Sequence, residues 1–228
     1  MNDIVIVGSG ASLINSNLGS KIDSFENVAR FGGSEAHLQK YKADVGEKTT
    51  HLFYNTSRDG CRILARYAEE NPDFYSSLFL FIHFQKKSTG TYRQELPNVI
   101  KVLNKHGIKH ELYWSPKYIK FGKHKKTGLS FPAELIKFNR GGRYKYKNKS
   151  KHITGGLSAI TKLFHEYDKV YLCGFDSLLE ETSRYYKRFY DHRHSNRPEA
   201  YFHSISKEAQ LIHYLIDKYE KISILQGE

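Results

Sequence analysis

Short apolar runs that alternate with helical patterns constrain the fold of this chain more than any other feature. The first run, DIVIV at residues 3–7, is continuous, and strand-like runs recur at 27–31, 49–55, 77–84, 109–114, 169–175 and 222–225. A strand is apolar along its whole length when both of its faces are buried, as they are in a parallel sheet. The sequence therefore predicts an α/β fold, a Rossmann-like, mainly parallel sheet with helices on both faces.

Helical periodicity fills the segments between these runs. We predict helices at 57–70 and 92–106, a third after Thr154, and a fourth that Ser206 caps. Apolar side chains three and four residues apart mark the inner faces, namely Ile63, Leu64, Tyr67 and Ala68, then Leu157, Ile160, Leu163 and Phe164, then Ile212, Leu215, Ile216 and Tyr219. A chain of 228 residues with this pattern predicts a single domain at 1–228.

The ends and the cysteines indicate the compartment. No run of about 18 apolar residues is present, and the chain starts directly with strand-like residues rather than with a basic leader. The two cysteines, Cys61 and Cys173, are far apart and lack metal-ligand spacing. These features favour a reduced, cytoplasmic protein.

The net charge of +12 is concentrated in one segment. Residues 117–151 contain twelve of the 36 Lys and Arg residues but only one acid, Glu134, so the rest of the chain carries 24 cations against 23 acids. The same stretch has weak periodicity and many glycines. We predict that 115–151 is an irregular basic excursion, either a lid or a membrane patch, within the domain.

The turn after the first strand has the composition of a nucleotide site. Gly8, Ser9 and Gly10 would let a phosphate or ribose approach backbone N–H groups. A dinucleotide fingerprint would need a third glycine where Leu13 stands, and an acid at the end of strand two. The turn therefore disfavours NAD, leaves a mononucleotide possible, and is equally compatible with a plain βα turn.

A second anion site is suggested by Thr154, Gly155 and Gly156, which start a predicted helix. Unpaired N–H groups and the helix dipole favour an anion at such a point. A simple threonine N-cap explains the same residues. The sequence leaves both interpretations open.

The segment RYYKRFYDHRHSN at 184–196 combines tyrosine hydroxyls with cations, which can stabilise a departing phosphate without a metal. His203 lies just before a helix and could act as a general base, with His192 and His194 as competitors. A solvated loop is the alternative. No Asp-x-Asp pair is present to hold a divalent cation, so we expect no metal and no cofactor.

The order and spacing of these motifs resemble the sialyltransferases, both the animal family (glycosyltransferase family 29) and the bacterial lipooligosaccharide family (family 42). The stretch VGSGASL…LGSKID…VARFGG…ADVGEKTT is similar to the large sialyl motif, and HITGGLSAI…YDKVYLCGFD to the small one. RYYK resembles the third motif, HSISKE has the spacing of the very small motif, and FYN at 53–55 resembles a bacterial strand end. The resemblance implies a variant GT-A fold and an inverting, metal-independent transferase.

The resemblance also implies roles for individual residues. His203 would be the base and Glu208 would orient it or bind acceptor, while Tyr185 and Tyr186 would support the departing phosphate. The donor, a CMP-linked sugar, would be bound by Gly8, Ser9, Gly10, Ser12, Gly32, Asn55, Thr154, Gly155, Gly156, Asp176 and Arg184. Gly32 stands where the family has asparagine, and Asn55 could supply that contact. Asp3 stands where the animal family has a cysteine, so its linking disulfide is absent.

The implied reaction transfers sialic acid from CMP-sialic acid to a glycan, of lipooligosaccharide or capsule type. CMP-Kdo is the alternative donor, because it is another carboxylated ketosugar. The basic segment at 117–151 would contact an anionic membrane or a phosphorylated glycolipid, which would place the protein in the cytoplasm or at the inner membrane face. An RNA- or polyanion-binding module is the alternative of a different class, although nucleic acid is not favoured.

Overall fold

The computed structural model describes residues 2–34, 37–55, 58–83, 92–113, 143–146, 149–176, 186–188, 191–195 and 205–227. Its strands, in chain order, are β1 (Asp3–Val7), β2 (Asn27–Phe31), β3 (His51–Asn55), β4 (Phe79–His83), β5 (His110–Tyr113), β6 (Arg143–Tyr146), β7 (Lys149–His152), β8 (Lys169–Cys173), β9 (Tyr186–Arg188), β10 (Asp191–Ser195) and β11 (Ile222–Ile224). Seven of them form one sheet in the order β11-β8-β1-β2-β3-β4-β5, and every neighbouring pair is parallel. This confirms the predicted α/β class.

The helices are α1 (Gly19–Asp23), α2 (Lys42–Val45), α3 (Arg58–Glu70), α4 (Pro72–Ser76), α5 (Tyr92–Lys105), α6 (Gly155–Leu163) and α7 (Ile205–Lys218). The apolar faces of α6 and α7 cover one side of the sheet. On the other side, α3 and α5 pack on β3 and β4, while α1 and the end of α2 pack on β1 and β2. None of the described helices is both long and apolar enough to cross a bilayer.

Alternation along β1 shows how the sheet separates its two cores. Ile4 and Ile6 pack on the α6 side, whereas Val5 and Val7 pack on the α1 side, and all four are at most 2% exposed. Burying an aliphatic side chain of this size stabilises the fold by about 1.5–3 kcal/mol. The continuous apolar run that begins the chain is therefore explained by burial on both faces.

Three differences from the sequence predictions concern local structure. Helix α7 begins at Ile205, so Ser206 lies inside the helix and the prediction that it caps the helix is wrong. The short helices α1, α2 and α4 have only four or five residues, too few to display a helical period. Two antiparallel hairpins, β6–β7 and β9–β10, lie in segments whose sequences lack clean periodicity.

The strand order places a switch point beside β1. The chain proceeds from β1 to β2 on one side, whereas β8 joins β1 from the other side. In open parallel sheets, ligands bind at such a point, outside the carboxyl ends of the strands. The turns that follow β1 and β8 meet at this position.

Candidate functional site

The turn after β1 is held against the end of β8 through its backbone. Gly8 donates its N–H to the Cys173 carbonyl at 2.8 Å, and Gly10 donates to the Gly174 carbonyl at 2.8 Å. A methyl group at Gly8 would overlap the Gly174 carbonyl, so glycine is required by this close approach. Gly174 itself has a φ of +67°, a left-handed conformation that favours glycine. Two motifs more than 160 residues apart thus form one edge of the site.

Ser12 and Asp176 bind each other across this edge. The Ser12 N–H donates to Oδ2 of Asp176 at 2.8 Å, and the Ser12 hydroxyl donates to Oδ1 of the same carboxylate. A methyl group at Gly10 would overlap this carboxylate, so Gly10 leaves the room that Asp176 occupies. Asp176 therefore fixes the shape of the turn, whereas its predicted contact with a donor, like that of Ser12, stays a prediction.

Thr154 is the N-cap of α6, and its partner comes from α7. Its hydroxyl oxygen accepts the Leu157 N–H at 3.1 Å. Its own N–H donates to the two Glu208 carboxylate oxygens at 3.1 and 2.9 Å, and its hydroxyl donates to Oε2 at 2.6 Å. Glu208 is fully buried. The two sequence interpretations of this turn both apply, because Thr154 is a cap and the anion beside it is a carboxylate of the chain itself.

The first turn of α6 retains two other donors. The N–H groups of Gly155 and Gly156 lie too early in the helix to have a partner within it, and among the described residues none accepts from them. Gly155 lies near the ring of Phe31, at the carboxyl end of β2. This places the two N–H groups at the ligand-binding edge of the sheet, where they could bind an oxygen of a donor.

A polar row that the sequence analysis did not identify lies at the same edge. His83 ends β4, and Tyr113 ends β5, directly beside it in register. The two rings are 5.3 Å apart, and Tyr113 accepts a hydrogen bond of 3.0 Å from the buried hydroxyl of Ser158 on α6. The only sequence signal is that a polar residue ends each strand, which is too common to identify a site.

Arg30 stabilises the loop that connects α2 to β3. This side chain is 1% exposed within β2; its Nε donates to the Lys48 carbonyl at 3.0 Å and to the Thr49 hydroxyl at 3.1 Å, and its Nη2 donates to the Val45 carbonyl at 2.6 Å. Burial lowers the pKa of Arg30 to about 10, so it stays cationic at neutral pH. An arginine within the apolar run VARF was the sequence signal for this role.

Asp23 organises the segment that Arg30 binds. Its carboxylate accepts the N–H groups of Glu47 at 3.0 Å and Lys48 at 2.9 Å. Gly46, between Val45 and Glu47, has a φ of +66°, and a methyl group there would overlap this carboxylate. The stretch DVGEKTT therefore has a structural function, which is to close a loop around a buried arginine.

Comparison with protein families gives a match along almost the whole chain. The model of Glycosyltransferase family 29 (sialyltransferase) matches residues 1–219. The chain belongs to glycosyltransferase family 29. This confirms the resemblance to the animal sialyltransferases, whereas the similarity to the bacterial family concerns single motifs only.

Individual relatives of this family 29 chain are distant. It is 27% identical over 180 residues to the type 2 lactosamine α-2,3-sialyltransferase of Rattus norvegicus, covering 75% of the chain and 49% of the relative. It is 27% identical over 217 residues to the human CMP-N-acetylneuraminate-β-galactosamide-α-2,3-sialyltransferase 4, covering 93% and 61%. The chain thus spans about half to three fifths of the length of these relatives.

The fold agrees with a solved structure of a mammalian sialyltransferase in complex with Gal-β-1-3GalNAc-ortho-nitrophenol. The TM-score is 0.59 at 19% identity, with 100% of this chain and 70% of the other covered. A second mammalian sialyltransferase structure gives a TM-score of 0.58 at 22% identity. These similarities establish the fold of the family 29 chain.

The family 29 chain departs from the R-F-N pattern at Gly32. The ring of Tyr54, from β3, lies where a side chain at position 32 would begin, so no larger residue fits there. Tyr54 is 6% exposed, and its hydroxyl is 3.3 Å from that of Tyr75. Asn55 follows Tyr54 at the end of β3, which puts its backbone at the ligand-binding edge.

The predicted absence of a linking disulfide agrees with the structure, since Cys61 and Cys173 are both buried and free. Parallel pairing of β1 with β8 joins the two segments instead. Burial raises the pKa of the Cys61 thiol to about 11 and that of Cys173 to about 12. Both thiols are therefore protonated at neutral pH.

Several predicted site residues lie outside the described part of the chain. These are His203, Tyr185 and Arg184. For the competing bases His192 and His194, which lie within β10, the backbone alone is described. For Tyr186, the first residue of β9, the backbone pairing alone is described. Their catalytic roles stay predictions. Within the described ranges, no group of three or more His, Cys, Asp and Glu residues could hold a metal ion.

A separate cleft of about 260 Å³ lies at the opposite, amino edge of the sheet. Its walls include His51 and Tyr167, whose Nε2 and hydroxyl are 2.9 Å apart. Beside it, the buried Nζ of Lys162 pairs with Glu111 at 3.0 Å and with Glu166. Burial lowers the pKa of His51 to about 4. This cleft is a structural feature remote from the predicted donor site.

Proposed function

We propose that the protein is an inverting sialyltransferase that transfers sialic acid from CMP-sialic acid to a hydroxyl of a glycan acceptor. The observation that carries the proposal is the family match, which includes residues 1–219 of 228. The named relatives are sialyltransferases as well. Because the chain spans only part of their length, its own activity has to be measured.

The architecture of the edge supports a donor site at the switch point. The turn at Gly8–Ser12 and the start of α6 both lie at the carboxyl edge of the sheet. The turn is bonded to the end of β8, and α6 is buried from Leu157 to Leu163. The N–H and the hydroxyl of Thr154 both donate to Glu208. We therefore propose that Thr154 positions the turn and that the N–H groups of Gly155 and Gly156 bind the donor. Glu208 then acts through Thr154 rather than directly on acceptor.

The chemistry follows from the donor. The acceptor oxygen forms a bond to the anomeric carbon while the bond from that carbon to the phosphate oxygen breaks, and CMP leaves with the electron pair. We propose that His203 takes the proton of the acceptor hydroxyl, a role typically worth roughly 10²–10⁴-fold in rate. Tyr185, Tyr186 and Arg184 would stabilise the negative charge on the departing phosphate. Attack opposite the leaving group inverts the anomeric carbon.

The acceptor that we propose is a galactoside, because the named relatives act on lactosamine or on β-galactosamide. A lipooligosaccharide or capsule acceptor stays a prediction from the motif resemblance, and so do cytoplasmic localisation and a membrane contact through 117–151. CMP-Kdo is the alternative donor, since its sugar is also a carboxylated ketosugar. Transfer without a metal or other cofactor is part of the proposal.

The decisive experiment follows CMP release from CMP-sialic acid and from CMP-Kdo, with and without N-acetyllactosamine. We expect release from CMP-sialic acid that depends on acceptor and persists in EDTA. His203→Ala should abolish transfer while CMP binding, measured by calorimetric titration, remains. The proposal is wrong if neither donor binds or turns over, and near-normal turnover of the variant would move the base to His192 or His194.

A further inference from the structure

The first turn of α6 is held by side chains from two other elements of the fold. At its start, Thr154 donates its N–H and its hydroxyl to Glu208 of α7. One turn later, the hydroxyl of Ser158 donates to the hydroxyl of Tyr113, from β5, at 3.0 Å. The N–H of Ser158 donates to the Thr154 carbonyl at 3.1 Å and closes the turn. The glycines at 155–156 therefore lie between two side-chain contacts that both come from outside α6.

Tyr113 reaches α6 from the far end of the sheet. It is the last residue of β5, and β5 is the terminal strand of the seven-stranded order. Its ring packs edge-on against Phe53 of β3, at 5.8 Å, and against Phe81 of β4, at 6.2 Å. Those two rings stack on each other at 4.7 Å, and all three residues are at most 4% exposed. Close packing of this kind leaves a side chain little room to move, so the position of the Tyr113 hydroxyl beside α6 is fixed.

The contact is a polar one in apolar surroundings. Ser158 is fully buried, and its neighbours along α6, Leu157 and Ala159, are fully buried as well. Alanine favours a helix more than serine does, so helix formation alone does not explain a hydroxyl at this position. A hydrogen bond is restricted to a narrow range of distance and angle, whereas apolar side chains can repack against each other. The Tyr113–Ser158 bond therefore specifies where α6 lies on the sheet.

The pair lies in the layer of the sheet where the strands end. Tyr113 pairs in register with His83, which ends β4, and His83 pairs with Asn55, which ends β3. Asn55 is one of the residues predicted to bind the donor. One turn of an α-helix rises about 5.4 Å, so Ser158 lies within one turn of the glycines at 155–156. A shift of the helix at Ser158 therefore moves the N–H groups of these glycines as well.

We propose that Tyr113 and Ser158 are positioning residues for the donor. Their hydrogen bond sets the place where α6 begins, and it thereby directs the N–H groups of Gly155 and Gly156 at an oxygen of the bound CMP-sugar. The inference rests on the proposed function and adds to it two residues that act through the helix. Because the pair acts on the donor side of the site, its loss changes the affinity for the donor and not that for the acceptor.

Two single variants break the bond from opposite sides. Tyr113→Phe removes the acceptor oxygen and keeps the ring, whereas Ser158→Ala removes the donor hydroxyl. Initial rates are measured well below the melting temperatures of all variants. We expect each variant to raise KM for CMP-sialic acid roughly three- to tenfold, the size of one hydrogen bond, with no change in KM for N-acetyllactosamine. Calorimetric titration of CMP-sialic acid without acceptor should show the same increase in Kd.

Tyr75→Phe is the matched control. Tyr75 is 1% exposed, and its hydroxyl lies 3.3 Å from that of Tyr54, so this variant also removes a buried phenol hydroxyl from a hydrogen bond. Tyr75 packs among side chains of α3 and α5, on the side of the sheet opposite α6. We expect the control to lower the melting temperature while both KM values remain those of the wild type. A purely structural role of the Tyr113–Ser158 bond predicts the same result for Tyr113→Phe.

The double variant Tyr113→Phe/Ser158→Ala shows whether one bond accounts for both effects. Each single change already breaks that bond, so the double variant should have the donor KM of the single variants. The inference is wrong if the donor KM of the single variants equals that of the wild type, or if the acceptor KM rises to the same extent. It is also wrong if the effects of the two changes multiply, or if Tyr75→Phe has the same effect.

A measurement that does not require turnover separates the inference from the proposed function. Hydrogen–deuterium exchange of residues 153–160 reports on the N–H groups of Leu157 and Ser158, which close the first turn. We expect faster exchange there in Tyr113→Phe than in the wild type or in Tyr75→Phe. If the wild type neither binds nor turns over a CMP-sugar while the exchange differs as expected, the proposed function fails and the pair still positions the turn. If the wild type transfers sialic acid while the exchange and the donor KM are the same in all variants, the inference alone fails.

Discussion

The buried carboxylate of Glu208 accepts both the backbone N–H and the hydroxyl of Thr154, and so it joins α7 to the cap of α6. Glu208 lies five residues after His203, the predicted base, and Thr154 immediately precedes the two glycines proposed to bind the donor. One side chain therefore joins the helix that follows the predicted base to the turn that precedes the proposed donor-binding glycines.

Removing this link should destabilise the protein strongly. Glu208→Ala leaves the N–H and the hydroxyl of the half-buried Thr154 without this acceptor, so we expect a loss of about 2–4 kcal/mol in the free energy of unfolding. Glu208→Gln keeps one acceptor oxygen and should lose about half as much. Urea denaturation measures both changes. Asp217→Asn, an exposed carboxylate on the same helix, is the matched control and should change stability by less than about 0.5 kcal/mol.

The contacts of Arg30 should depend on the shape of its guanidinium group and not only on its positive charge. Arg30→Lys keeps the cation but cannot reach the Val45 carbonyl and the Lys48–Thr49 acceptors together, because lysine lacks the planar fork of the guanidinium. We expect a loss of about 2–3 kcal/mol in the free energy of unfolding. Arg66→Lys, on the exposed surface of α3, makes the same exchange and should be close to neutral. Equal losses from both variants would contradict the role of the buried fork.

The depressed pKa of His51 predicts a pH dependence of stability. A histidine in the unfolded chain has a pKa near 6.5, whereas burial in the folded state lowers the pKa of His51 to about 4. The unfolded state therefore binds more protons in this window. The free energy of unfolding therefore has its full value above pH 6.5. It falls by about 3 kcal/mol through this group as the pH drops toward 4.

Comparison of two variants isolates this effect. His51→Gln should show a shallower fall in the free energy of unfolding between pH 6.5 and 4 than the wild type does. His110→Gln, which removes a histidine whose Nδ1 contacts the Ile108 carbonyl, is the control and should retain the wild-type slope. If the slope of the His51 variant matches that of the wild type, His51 is not the group responsible.

The close approach of Gly10 to Asp176 can be tested with one methyl group. Gly10→Ala would push against the carboxylate that holds Ser12, and we expect it to cost about 2 kcal/mol in the free energy of unfolding. Gly155→Ala meets only the Phe31 ring at an ordinary 4.0 Å and should be neutral or stabilising by up to about 1 kcal/mol. Combining Gly10→Ala with Asp176→Ala should cost less than the sum of the single changes.

Restoring the asparagine of the family pattern should fail in this chain. Gly32→Asn would collide with the Tyr54 ring, at a cost of about 1–3 kcal/mol in the free energy of unfolding. Tyr54→Val removes the colliding ring, so the double variant should be more stable than the single losses predict. Additive losses in thermal or urea unfolding would show that the two positions are independent.

Burial pattern explains why most of the sheet could be predicted. Strands such as β1 and β4 are enclosed by helices on both sides, and this requires the apolar runs that mark them. The ends of the seven predicted strands agree with the observed ones to within two residues. Helices α1, α2 and α4 were missed because one helical turn leaves no periodic signal.

The site was predictable only where the motif is local. The turns at Gly8 and Thr154 are visible in the sequence because glycine and threonine have specific backbone roles there. The partners of these turns are not local, since Asp176 and Glu208 are distant in sequence from the residues they bind. Spacing in one sequence does not indicate which carboxylate will fill which turn.

The bond between Ser12 and Asp176 also bears on the order in which this protein can fold. Its two ends are separated by 164 residues, so the turn at Gly8 emerges from the ribosome long before its carboxylate exists. Contacts this distant in sequence are slow to form because a large loop has to close first. The turn after β1 therefore reaches its final conformation only after β8 has been synthesised and has paired with β1.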